Sequence, residues 1–214
     1  MIGDNGFMGF YRGRIGNLSY YVRNGRQVAR RCGWKVSKHP SGAQLASRMK
    51  MALMVDFLRP LLSVVNLGFA LKAAGTGRTS YNLALGYNLR NGVAGAYPEF
   101  AVNYEKVRLS LAAGEVAGPY RAAAVLQEDG LLFSWQMEGG GSWNYEGDRA
   151  VMVAYFPERA AAVFDLDGPE RSDEKGLLKL GPAYRTLRME VYLTFVAADR
   201  SGISDSIYLG NLNG

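Results

Sequence analysis

Beyond about residue 107 the apolar residues of this 214-residue chain stop recurring at helical spacing and begin to alternate, and no other feature limits the fold as much. Candidate strands cover residues 107–112, 130–136, 150–156, 161–166, 176–180, 189–197 and 204–209, with turn residues between them. Seven short runs of this kind predict a two-sheet β-sandwich. Within the second run, Leu131, Leu132, Phe133, Ser134 and Trp135 place a large aromatic where a sandwich buries one.

The region before the switch reads differently. Asn24-Gly25 lies between two β-prone runs in residues 18–31, and a type I′ turn demands positive φ at both central positions. A two-residue loop fixes the register. Arg23 then faces Arg26, Tyr21 faces Val28 and Ser19 faces Arg30, while Leu18, Tyr20, Val22, Ala29 and Arg31 share the other face. Like charges directly opposite one another are unfavourable, so Arg23 and Arg26 call for an anion, a carboxylate or open water. The glycines at 3, 6, 9, 13 and 16 lack the Gly-Lys-Ser/Thr ending of a phosphate loop and fit a flexible arm or close backbone approach.

After His39-Pro40, Ser41 and Gln44 form a capping-box signature, and Leu45, Met49, Ala52, Leu53 and Phe57 follow at helical spacing. Pro60 must kink or restart that helix. Apolar sequence continues to about Ala74, Gly75-Thr76-Gly77 breaks it, and a second helix is expected from Thr79 or Ser80 to about Ala94, closed by Tyr97-Pro98. The two helices predict a helical hairpin with a small core of its own; Met49, Met51 and Met54 fit core filling better than an adaptable binding surface. The expected fold class is therefore α+β: a β-hairpin and helical hairpin over residues 1–100, then a seven-stranded sandwich over 101–214.

Charge follows the same division. Residues 1–100 hold 14 Lys/Arg against 3 Asp/Glu, and residues 101–214 hold 11 against 16. Segregated charge points to a polyanionic partner, to attraction between neighbouring copies, or to packing of the basic half on the acidic half of its own chain.

The residues of enzyme chemistry are sparse. One histidine, His39, sits in a linker beside a proline, and one cysteine, Cys32, reads as a small apolar residue near a strand. One Cys and one His cannot supply zinc spacing. Asp165, Asp167, Glu170, Asp173 and Glu174 cluster around Gly168-Pro169 without the alternation of a calcium loop, as a solvated turn would. The sequence predicts no catalytic residue, no cofactor and no metal. Trp143 and Tyr145, on a loop containing Gly139-Gly140-Gly141, fit a ligand-binding tip or aromatics folded back on the sheet. No run of about 18 uncharged apolar residues predicts a membrane span, and residues 1–10 lack a signal-peptide pattern, so cytoplasmic residence is expected.

Two resemblances extend this reading. Residues 192–198, a Gly202 turn and Ser204-Asp205-Ser206 resemble the last two strands of a fibronectin type III domain, which implies an Ig-like sandwich used as an adhesion or spacer module. More widely, Gly9 to Arg31, Gln44-Leu45, Phe57-Leu58-Arg59-Pro60, Asn82-Leu83-Ala84, Tyr97-Pro98 and the Ser204–Gly210 stretch resemble, in order, an uncharacterised Bacteroidota family known only as a domain of unknown function. That resemblance implies no activity, ligand or catalytic residue.

The expected function is a non-catalytic structural or interaction protein, a homo-oligomer joined head to tail or a binder of another protein. Its expected contact residues are Tyr21, Arg23, Arg26, Arg30 and Arg31, with Trp143 and Tyr145. The alternative is a nucleic-acid-binding protein that uses the arginine–tyrosine hairpin, since a two-stranded ribbon fits the major groove.

Overall fold

The computed structural model describes residues 10–23, 25–33, 39–137 and 147–214; Asn24, Trp143 and Tyr145 lie outside the described residues. The chain forms two compact units, Met1–Leu45 and Ala46–Gly214.

In the first unit the predicted hairpin is a three-stranded antiparallel sheet, β1 (Gly13–Ile15), β2 (Leu18–Arg23) and β3 (Arg26–Arg31), in that spatial order. The β2–β3 register is the one a two-residue loop dictates: Arg23 opposite Arg26, Tyr21 opposite Val28, Ser19 opposite Arg30. Gly25 has φ +71°, the left-handed conformation the turn needs. The extra strand, β1, pairs Gly13 with Tyr20 and Ile15 with Leu18.

The second unit is built in three layers. Helix α1 (Gly42–Leu58) starts at the capping box: the Ser41 amide donates to Gln44 Oε1 (3.1 Å) and the Gln44 amide to Ser41 Oγ (3.3 Å). Pro60 restarts the chain as a short 3₁₀ turn, Arg59–Leu61, followed by α2 (Leu62–Gly68) and α3 (Ala70–Ala73). Thr79 caps α4 (Ser80–Asn91) by accepting from the Asn82 amide at 3.2 Å. Where the sequence continues this helix to Ala94, the chain instead turns a small hairpin, β4 (Val93–Ala96) and β5 (Glu99–Val102), around the cis Tyr97–Pro98 bond.

The remaining strands are β6 (Tyr120–Gln127), β7 (Gly130–Gln136), β8 (Arg149–Phe156), β9 (Ala161–Asp165), β10 (Lys175–Lys179), β11 (Met189–Val196) and β12 (Ile207–Leu212). They form two antiparallel sheets, β10-β7-β6 and β12-β11-β8-β9. The chain crosses between the sheets after β7, β9 and β10, giving the seven-stranded, fibronectin-like sandwich. Its filling comes from alternate residues of both sheets, among them Leu131, Phe133, Trp135, Met152, Phe156, Leu193 and Phe195. Trp135 is buried as expected; its ring meets Phe195 edge-on at 5.3 Å and its Nε1–H donates to the Arg171 carbonyl at 2.7 Å.

The sequence places its division at residue 100, whereas the compact units divide at 45/46. The reason is the third layer. The other face of the four-stranded sheet, with Val151, Val153, Tyr155, Tyr192 and Val196, shares one core with Met54, Phe57, Leu58, Leu61, Val64, Val65 and Phe69 of the helices. The helices therefore have no separate core. The helical run Gly42–Gly68 is long and apolar enough by composition to cross a bilayer, but it carries Arg48, Lys50, Asp56 and Arg59. Met54, Phe57, Leu58, Leu61, Val64 and Val65 lie in this core, whereas Met49, Met51 and Leu62 are exposed, so of the three methionines expected to fill the core only Met54 does.

Residues 107–112 are not a strand. Val107 and Leu109 are buried in the shared core, but their backbone is held by side chains and by a helix: Asn88 Oδ1 accepts from the Arg108 amide and Asn88 Nδ2 donates to the Arg108 carbonyl (both 2.9 Å), while the Leu111 amide donates to the Gly68 carbonyl at 3.2 Å. The first strand of the sandwich is β6, which the sequence reading omitted.

Candidate binding surface

Alternation along paired strands sorts the first unit into two faces. One carries Ile15, Leu18, Tyr20, Val22, Gln27, Ala29 and Arg31. Tyr11 lies against it: its ring meets Tyr20 edge-on at 5.6 Å, its amide donates to Gln27 Oε1 (2.9 Å) and its carbonyl accepts from Gln27 Nε2 (2.8 Å). One side-chain amide thus serves both polar groups of a backbone residue, as a neighbouring strand would.

The opposite face carries Arg14, Ser19, Tyr21, Arg23, Arg26, Val28 and Arg30. All four arginines are exposed, and Tyr21 is 37 % exposed. Arg14 donates through Nε to the Gly16 carbonyl at 3.0 Å. Among the described residues, none of the four has a carboxylate within salt-bridge distance. Between Asp4 and Asp56 the sequence contains no acidic residue. Residues 1–45 hold eight Lys/Arg against one Asp, a charge of +7, leaving 17 against 18, or −1, in residues 46–214. The basic excess of the molecule resides in this unit.

The structure thus brings together Tyr21, Arg23, Arg26 and Arg30 of the expected contact residues. It adds Arg14, which sequence reasoning missed because it did not anticipate β1, and it leaves Arg31 on the other face, where the two-residue-loop register places it. None of the described residues of the sheet is buried; Ile15 and Leu18 are 57 % and 40 % exposed.

Among the described residues, no buried side-chain nitrogen or oxygen lacks a hydrogen-bond partner. In the acidic turn, Asp165 Oδ1 accepts from the Asp167 amide, Asp173 Oδ2 from the Glu170 amide and Glu174 Oε1 from the Met137 amide, while Glu170 pairs with Arg149 at 3.1 Å and Asp167 with Arg200 at 3.6 Å. Buried Arg171 meets Asp148 at 3.1 Å, donates to the Ala117 and Gly118 carbonyls and lies 3.8 Å from the Phe195 ring centroid. Burial raises the Asp148 carboxyl, with Arg171 acting against it. The Ser204-Asp205-Ser206 motif laces the core. Ser204 Oγ accepts from the Phe195 amide, Ser206 Oγ from the Leu109 amide, and Asp205 Oδ1 from the Ala112 amide.

Glu190, fully buried on β11, accepts from Arg188 Nη2 at 2.7 Å and from the Tyr208 hydroxyl at 2.6 Å. Tyr104, Tyr155 and Tyr192 surround this pair, and burial, with nearby negative charge, raises all four phenols, Tyr155 to about 12. A phenol whose folded-state pKa is raised contributes stability that is complete below its unfolded value near 10 and is lost as pH rises through the folded value. Stability should therefore hold to about pH 10 and fall between pH 10 and 12. Tyrosinate absorbance should rise in step with loss of tertiary circular dichroism. Full ionisation with the fold intact at pH 11 would contradict this burial.

Comparison with known proteins agrees with the sequence resemblance. A family of unknown function, DUF6266, matches residues 11–210. The chain belongs to that family. The DUF6266 match takes in both the arginine-faced sheet and the three-layered body. No curated protein and no solved structure matches the chain.

Proposed function

We propose that this DUF6266 protein is a non-catalytic interaction protein whose N-terminal sheet docks on an anionic macromolecule while the three-layered body serves as its scaffold. The observation that carries this reading is the exposed face of Arg14, Arg23, Arg26 and Arg30, which has no carboxylate within salt-bridge distance among the described residues. Arg23 and Arg26 stand directly opposite each other, an arrangement that is unfavourable alone and favourable around a shared anion. A separate partner fits better than the acidic turn of a second copy, because the carboxylates of that turn already accept hydrogen bonds or pair with arginines of their own chain.

Retention on a heparin column tests the reading. Arg23→Glu with Arg26→Glu should lower the salt needed for elution well below that of a control with Lys175→Glu and Lys179→Glu. The control makes the same net-charge change on exposed positions of β10. Equal shifts would mean that net charge alone governs retention and the face is no site. If the wild type sediments as an oligomer that the face reversal alone dissociates, the anionic partner is a second copy, and head-to-tail assembly becomes the function.

A further inference from the structure

Resting on that docking reading, we infer that the anion is the paired phosphate walls of a nucleic-acid duplex and that the hairpin spans its major groove. The arginines stand in two ranks. Arg14 and Arg30 flank Ser19 on the outer strands, about 9.5 Å apart at two strand spacings. Arg23 and Arg26 sit side by side at the turn, four residues further along β2, about 13 Å at the rise of a strand. The major groove of B-form DNA is about 12 Å wide. One rank can therefore reach each phosphate wall at once.

Between the ranks lie Tyr21 and its cross-strand partner Val28, the face's two large non-charged side chains, placed where the groove floor presents base edges. Beyond β1, which pairs only with residues 18–20, the sheet narrows to a two-stranded ribbon, the width that enters a major groove. A single strand offers one line of phosphates and would leave one rank unpaired. An acidic polypeptide would neutralise the arginines without using their spacing. Four contacts of this kind position a protein on a duplex, and with the Tyr21 hydroxyl the one polar side-chain group between the ranks the binding depends little on sequence.

The test measures fluorescence anisotropy of a labelled mixed-sequence DNA duplex across a salt series, with the same single strand and polyglutamate as competitors. The wild type should bind the duplex with a log–log salt slope of roughly −3.6, four contacts at about −0.9 each. Arg23→Ala with Arg26→Ala should reduce the slope to roughly −1.8, and Arg14→Ala with Arg30→Ala should do the same. A thermal melt of each variant checks that the body is intact. Stronger competition by the single strand or by polyglutamate than by unlabelled duplex would overturn the duplex assignment while leaving anionic docking standing. So would absence of duplex binding at low salt in a protein that heparin still retains through the face. A slope left unchanged by both double variants would remove the arginine face from duplex binding altogether.

Discussion

Expressed without its helices, the fragment 101–214 should fail to melt cooperatively, whereas residues 41–214, which keep the Ser41 cap, should show one sharp transition. The sandwich has two interiors, and only one of them survives the cut. Removing Met54, Phe57, Leu58, Leu61, Val64, Val65 and Phe69 uncovers Val151, Val153, Tyr155, Tyr192 and Val196 along the middle of the four-stranded sheet. Each large apolar side chain buried contributes roughly 1.5–3 kcal/mol, against a net stability of roughly 5–15 kcal/mol for a whole domain. The cut also strips Asn88 from the backbone of Arg108 and Gly68 from that of Leu111, so residues 104–113 lose the partners that hold them against the sheet. Circular dichroism of the fragment should show strand without a transition, with hydrophobic dye binding to the open face. A cooperative melt with no dye binding would show that the sandwich stands on one core.

A single methyl-scale change should reach the same interface. A Cβ at Gly68 would overlap the carbonyl oxygen of Leu109 and lie 2.8 Å from Ser110 Cα, so α2 approaches that segment backbone to backbone. Both obstacles are main chain and cannot swing aside. Gly68→Val should cost more than about 4 kcal/mol, the range reached when core packing and a buried hydrogen bond are lost together. Gly86, in the middle of α4, has nothing within 4 Å of its added Cβ and no positive φ. There Gly86→Ala should stabilise by roughly 0.8–1 kcal/mol through helix propensity alone. Denaturant titration of the pair separates the two roles of glycine. Similar small effects at both sites would refute the close approach at Gly68.

Local chemistry was the readable part of this sequence. The Asn24-Gly25 turn determined the β2–β3 register, Ser41 and Gln44 the start of α1, and the spacing of Leu131, Phe133 and Trp135 the inner face of β7. Errors arose where tertiary partners decide. Val107 and Leu109 alternate like a strand because they are extended and buried on one side, but their backbone partners are Asn88, Ser206 and Gly68 rather than another strand. Three alanines in Tyr120–Gln127 obscured β6. One signal of the helical layer was present: the unbroken apolar run of β8 from Ala150 to Phe156 indicates burial on both faces, whereas a two-layer sandwich leaves one face polar.

At the candidate surface, Arg23, Arg26 and Arg30 followed from register alone. Arg14 did not, because Gly13–Ile15 is too short to carry a strand pattern. The buried pair Arg171–Asp148 and the buried Glu190, paired with the more exposed Arg188, had no sequence signal, since nothing local distinguishes a buried charge from a solvated one.

Every residue of β11 is buried, as are seven of the eight in β8, so these two strands have no outside. A side chain on a one-sided strand can drift in size and charge every second position. Here each change of volume presses on a packed neighbour above or below the sheet. Divergence within the family should then be pushed outward, to rows such as Val125 and Leu177 on the far sheet and to the arginine-faced strands, where a new partner could be acquired without disturbing the body that carries them.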